Sequence, residues 1–135
     1  MRIKEVKDYS APTLHEVLHH PIVGSVLALI RVLRGRWLEE GAYPGSWDQF
    51  CRAFESVALN IAEGLGRPIG QRPFFFGVAR ASAYEAAVAA RIIGIDENLV
   101  EAVDSLARAC EGLLPLEGEY PKWRAEPGNR DDKKA

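Results

Sequence analysis

The sequence predicts an all-α chain: an antiparallel up-down four-helix bundle over residues 21–114, with a polar N-terminal arm (1–20) and a flexible charged C-terminal tail (115–135). Three observations lead there. Apolar residues recur at spacings of three and four in four separate stretches between residues 21 and 114, the period of a helix that buries one face. No run alternates apolar and polar residues in the manner of a strand. The links between the later helices are short, which favours antiparallel neighbours. At 135 residues, 47% hydrophobic and 27% charged, the chain has the size and composition of one domain with its own core.

The first helix is predicted over Ile22 to Glu40, with Val23, Val26, Leu27, Ile30, Leu33 and Trp37 inward and Arg31, Arg34 and Glu40 outward. Pro44 and its flanking glycines, Gly41 and Gly45, mark a loop. Ser46 and Gln49 have the spacing of a capping box and predict a second helix opening at Trp47, with Phe50, Phe54, Val57 and Ile61 inward. Gly64 and Gly66 are expected to stop it. Pro73 suits the first turn of a third helix running to Ile93. That helix carries two apolar stripes: Phe75, Ala79, Ser82, Ala86 and Ile93, and beside them Phe74, Val78, Ala81, Val88 and Ile92. Two stripes predict packing against more than one neighbour. Gly94 then serves as a C-terminal cap, and Asp96 caps a fourth helix to about Leu114, with Leu99, Val103, Leu106, Cys110 and Leu113 inward.

Charge and targeting signals narrow the function classes. The net charge is −2 and the pI about 5.9, with no concentrated basic patch for tight phosphate binding. Residues 50–94 hold five Arg against three Glu, whereas 95–114 hold five acids against Arg108, an asymmetry that suits the meeting of two subunits and equally fits two solvated faces of a monomer. The longest uncharged apolar run, Pro21 to Ile30, is far below the ~20 residues that cross a bilayer. With no signal-peptide pattern at the N-terminus, a cytoplasmic protein without membrane contact is expected. Cys51 and Cys110 fall on or beside apolar helix faces and predict two buried thiols.

Among chemistry-bearing patterns, His15-Glu16-Val17-Leu18-His19 spells the H-E-x-x-H of zinc hydrolases. A third ligand would have to come from Glu39 or Glu40, and Pro21 leaves room for only a short helical piece, so no catalytic site is predicted and no cofactor is expected. Glu55, Glu63 and Glu85 lack the Glu-x-x-His partners of a di-metal bundle, since all three histidines precede residue 21. The glycines of Gly64 to Gly70 follow a helix, with no strand before them and no Lys-Ser/Thr after, so they do not make a phosphate loop. What remains is a polar seam. Ser56, Asn60 and Glu63 share one face of the second helix, and Glu85 falls on the same stripe of the third as Phe74, Val78, Ala81 and Val88, where partial burial is expected. Such a carboxylate needs a partner, for which Arg52, Arg67 and Arg80 are the candidates.

The same residues resemble a known signature. Ser56-Val57-Ala58-Leu59-Asn60-Ile61-Ala62-Glu63-Gly64-Leu65-Gly66-Arg67 is similar to the S-I-x-x-N-I-A-E-G-x-G-R motif of a bacterial family named for proteins encoded in intervening sequences of 23S rRNA genes. Phe75-Phe76-Gly77-Val78-Ala79-Arg80-Ala81-Ser82-Ala83-Tyr84-Glu85 resembles that family's F-x-x-x-A-R-G-S-x-x-E, with Ala81 where Gly is usual. The resemblance spans about residues 20–114. It implies an antiparallel four-helix bundle that assembles into a ring, typically a pentamer, and an association with ribosomal RNA suggested by gene location. Related bundles in diversity-generating retroelements are accessory partners of a reverse transcriptase and use a basic surface, from which this acidic chain departs.

The function expected is therefore a non-enzymatic, homo-oligomeric scaffold or adaptor, a pentamer by resemblance, associated with RNA or a nucleic-acid enzyme. Its structural and interface residues would be Ser56, Asn60, Glu63, Arg67, Arg80, Ser82 and Glu85. The alternative is weak RNA binding through Arg52, Arg67, Arg72 and Arg80 on an Arg-bearing face of the oligomer, and a third is zinc binding through His15 and His19.

Overall fold

The structure, a computed structural model, describes residues 12–40 and 44–114, with the backbone alone for 37–40 and 44–46. Five α-helices carry almost all of it: α1 (Leu14–Leu18), α2 (Pro21–Glu40), α3 (Pro44–Leu65), α4 (Arg72–Ile93) and α5 (Glu97–Glu111). A single 3-10 turn, Ile69–Gln71, leads into α4, and no strand occurs among the described residues. The expectations for Trp37, Glu39, Glu40, the 41–43 link, residues 1–11 and the 115–135 tail lie outside what is described.

Each boundary has a local cause. Thr13 caps α1: its hydroxyl accepts the Glu16 N–H at 3.2 Å, while the Glu16 carboxylate accepts the Thr13 N–H at 3.1 Å. The Thr13 bonds hold the Glu16 carboxyl below the usual glutamate range. Pro21 opens α2, where its missing N–H is no loss, and the next free N–H, that of Ile22, is accepted by His20 Nδ1 at 3.2 Å. α3 begins at Pro44, three residues before the expected Trp47, so Ser46 lies in the first turn and not at the cap. Proline again explains the shift, since it is better suited to a helix start than to a loop preceding one. Gly94 closes α4 at φ +79°, and the N–H groups of Gly94 and Ile95 both reach the Ala90 carbonyl. Asp96 caps α5 by accepting the Leu99 N–H at 3.0 Å, a bond that holds its carboxyl below the usual aspartate range.

The core runs the length of these helices. α2 contributes Ile22, Val23, Val26, Ile30 and Leu33, and α3 contributes Trp47, Phe50, Phe54, Val57 and Ile61. The three aromatics stack edge to face, with Trp47 to Phe50 at 6.1 Å and Phe50 to Phe54 at 5.4 Å between centroids. The apolar side chains that α4 buries are small, Ala79, Ala83, Ala86 and Ala90, with Arg80 buried beside them, which lets its axis lie close to its neighbours. α5 closes the core with Val103, Leu106, Ala107 and Cys110. α3 packs on α2 and α4, and α5 packs on α4 and, more sparingly, on α2.

Direction follows from the contacts. Gly64 meets Phe76 while Ser56 meets Ser82, so α3 and α4 run in opposite senses. Tyr84 meets Glu111 while Arg91 meets Asp104, so α4 and α5 do too. No described helix is long and apolar enough to cross a membrane.

Candidate functional site

The α3–α4 junction holds the residues that the sequence singles out. Ser56 Oγ and Ser82 Oγ lie 2.8 Å apart across the two helices. Asn60 Nδ2 donates to the Ser56 carbonyl at 2.8 Å and to Ser56 Oγ at 3.0 Å, so one side-chain amide holds a hydroxyl aimed at the neighbouring helix. These three half-buried residues form a connected unit. The remaining members of the expected seam divide from it. Glu63 and Arg67 pair at 2.6 Å on the surface, and the Arg67 guanidinium sits 5.1 Å over the Phe75 ring. Arg80 is buried, on the flank of α4 that approaches Cys110.

Glu85 corrects an expectation. It is exposed, not partly buried, because the stripe on which it lies faces away from the core. Phe74 is 71% exposed, Val88 59% and Ile92 75%, and Ala81 is exposed between them. The inner alanines and this outer stripe occupy opposite sides of α4. Around Glu85 a groove of about 390 Å³ is lined by Gln49, Tyr84, Val88, Ala89, Ile92 and Ile93. Tyr84 donates its hydroxyl proton to Glu111 on α5 at 2.7 Å, which fixes one wall.

Gly64 is a second correction. α3 continues through it to Leu65, so it does not stop the helix. A Cβ there would meet Phe76 Cε1 at 2.8 Å and Phe75 Cβ at 3.0 Å, so its role is to admit the α4 aromatics against the α3 backbone. The end of α3 is held instead by Arg72, whose guanidinium donates to the carbonyls of Arg67 at 3.1 Å and Leu65 at 3.3 Å. Capping of orphan carbonyls by an arginine seven residues on left no pattern in the sequence.

The four arginines of the RNA alternative do not open onto one surface. Arg52 pairs with Asp48 at 2.9 Å, Arg67 with Glu63, Arg72 with backbone carbonyls, and Arg80 is buried. On α1, His15 and His19 do share a face, their ring centroids 4.1 Å apart, with His19 Nδ1 donating to the His15 carbonyl at 2.8 Å. No three His, Cys, Asp or Glu side chains come together as a metal site among the described residues. Cys51 and Cys110 are both buried free thiols, as the pattern predicts. Burial pushes the Cys51 thiol up and that of Cys110 to about 11, which leaves neither a ready nucleophile.

Compared with protein-family models, curated proteins and solved structures, the chain matches none of them.

Proposed function

We propose that this chain is a non-enzymatic, self-associating helical scaffold or adaptor, with α2 to α5 arranged as an antiparallel up-down four-helix bundle. The observation that carries it is the outer face of α4, where Phe74, Val88 and Ile92 stand mostly exposed along one helix. Scattered surface apolar residues are ordinary, but large ones aligned on one helix face mark a contact surface. The likeness to the 23S rRNA intervening-sequence proteins rests on the two motifs of α3 and α4. It implies assembly into a ring, typically of five copies, near RNA or a nucleic-acid enzyme.

Weak RNA binding through Arg52, Arg67, Arg72 and Arg80 is less well supported, because acidic partners, backbone carbonyls or burial already engage these groups. Zinc binding through His15 and His19 lacks a third ligand among the described residues. Sedimentation equilibrium at concentrations on the order of 100 μM, where even weak interfaces fill, tests the scaffold reading. A mass above one copy is expected, and a single-copy mass overturns it.

A further inference from the structure

The side of the molecule between α2 and α5 is left open. Packing runs α2 on α3, α3 on α4 and α4 on α5, whereas α5 returns to α2 only sparingly. At one end Arg36 of α2 pairs with Asp96, the cap of α5, at 2.8 Å. Toward the other end, from Leu29 back to Pro21 and from Ala102 on to Ala109, the two helices enclose a groove of about 300 Å³. The buried Ile22 and Leu106 lie at its base, and Ser25, Ser105 and Ala109 are exposed along it.

The described chain ends beside the open end of this groove. Leu114 is buried five residues beyond Ala109, and residues 115–135 follow it. That stretch is rich in charge, with Tyr120-Pro121-Lys122-Trp123 as the exception. Tails that stay solvated carry few aromatics, so a tyrosine and a tryptophan three residues apart call for a surface to cover. Charge gives the pair a direction. Glu117 and Glu119 precede it, and Lys122 and Arg124 lie within and after it. On α5 the signs are opposite in the same order: Arg108 stands exposed at the near end of the groove and Glu101 at the far end, both on the face of Ser105.

We propose that residues 117–124 turn back from Leu114 and lie in the α2–α5 groove, with Tyr120 toward Pro21 and Ala109 and Trp123 toward Leu29 and Ala102. The reach suffices. Leu114 lies over Gly77 of α4, so the chain first crosses the width of α5, about 10 Å. Pro21 to Leu29 adds about 12 Å at 1.5 Å per residue. Nine extended residues from Leu114 to Trp123 span about 30 Å, and six to Tyr120 about 20 Å. Glu117 and Glu119 then fall beside Arg108, and Lys122 and Arg124 beside Glu101. Residues 1–11 start from the same end, but their charges read away from the helices alternate, Asp8, Lys7, Glu5 and Lys4, and match no such order. The groove shares no residue with the outer face of α4, so the seating stands apart from the self-association proposed above.

The test uses the full chain. Trp123→Ala should lower the Tm by about 4–8 °C through loss of a covered ring, whereas a ring in solvent would leave it unchanged. Position is read by nuclear magnetic resonance from the Trp123 indole N–H, one of three in the chain and identified by Trp123→Phe. A nitroxide on Ala28→Cys, exposed on α2, should broaden that signal strongly, and one on Leu59→Cys, exposed on α3, should not. Cys51 and Cys110, being buried, do not take the label. Broadening of residues 1–11 with Trp123 unaffected seats the N-terminal arm in the groove. Broadening only between spin-labelled and isotope-labelled molecules in a mixture seats a neighbour's tail there. Equal broadening from both sites, or an unchanged Tm, leaves the groove empty. Each of these outcomes overturns the proposal.

Discussion

Replacing Gly64 by alanine sets two well-understood effects against each other at one atom. In an open helix interior, Gly→Ala stabilises by about 0.8–1 kcal/mol, because glycine loses more backbone freedom on folding. At Gly64 the new methyl would lie 2.8 Å from Phe76 Cε1 and 3.0 Å from both Phe76 Cδ1 and Phe75 Cβ. Carbon atoms in favourable contact stand at about 3.5–4.0 Å. The Phe76 ring can swing, but Phe75 Cβ is attached directly to the α4 backbone, so relief requires the two helices to part. Overpacking of this kind costs about 1–3 kcal/mol. The chain contains its own control: at Gly24 and Gly35, both in α2, an added Cβ meets nothing within 4 Å. Propensity is common to all three sites and cancels in the comparison. Gly64→Ala should therefore be about 1–3 kcal/mol less stable than Gly24→Ala. At roughly 4 °C per kcal/mol for a domain of this size, that is a Tm difference of about 4–12 °C. Thermal melts followed by far-UV circular dichroism at one fixed concentration measure it, since self-association makes Tm concentration-dependent. A Gly64→Ala protein melting as high as Gly24→Ala would refute the close approach of α3 and α4.

Two further outcomes are expected. Ser56→Ala or Ser82→Ala should each cost about 1 kcal/mol by leaving the other hydroxyl half-buried without its cross-helix partner, and the double variant should lose little more than either single. Strict additivity in urea unfolding would mean that the 2.8 Å contact carries no energy. Burial lowers the pKa of His20, so the fold favours the neutral imidazole that accepts the Ile22 N–H. The unfolded chain then binds protons more readily, and the stabilisation is complete above the ordinary imidazole value of about 6.5 and lost as pH falls below it. The Ile22 amide should lose hydrogen-exchange protection on acidification toward pH 5, and His20→Asn, which caps without titrating, should not show that loss; equal pH dependence in both removes His20 as the cause.

Where the helices form was legible from residue order alone, because helix signals are local. Pro21, Pro73, Gly94 and Asp96 act within one turn, through a missing N–H, a left-handed backbone or a side-chain cap, and the structure ends its helices beside each of them. The spacing of Val26, Leu33, Phe50, Phe54, Val57 and Ile61 also named core residues correctly, whereas Leu27, read inward on the same stripe, lies at its margin and is exposed. α3 shows the limit: Pro44 and Ser46 both signal a start, and local chemistry alone did not rank them.

The remainder depended on how the helices pack together. α4 has two apolar stripes, and nothing within the helix says which turns inward. The alanine stripe does so because α3 and α5 lie close on that side, which sends Phe74, Val88, Ile92 and Glu85 outward. The role of Gly64 was hidden for the same reason: a glycine near a helix end reads as a stop, and only the ring of Phe76, twelve residues away in sequence, makes it a notch. Ser56 and Ser82 were separately visible as polar residues beside apolar stripes, but their contact depends on the register of α3 against α4. That register follows from how closely the Gly64 backbone and the Phe75–Phe76 side chains can approach, a distance between chain segments that no local spacing encodes.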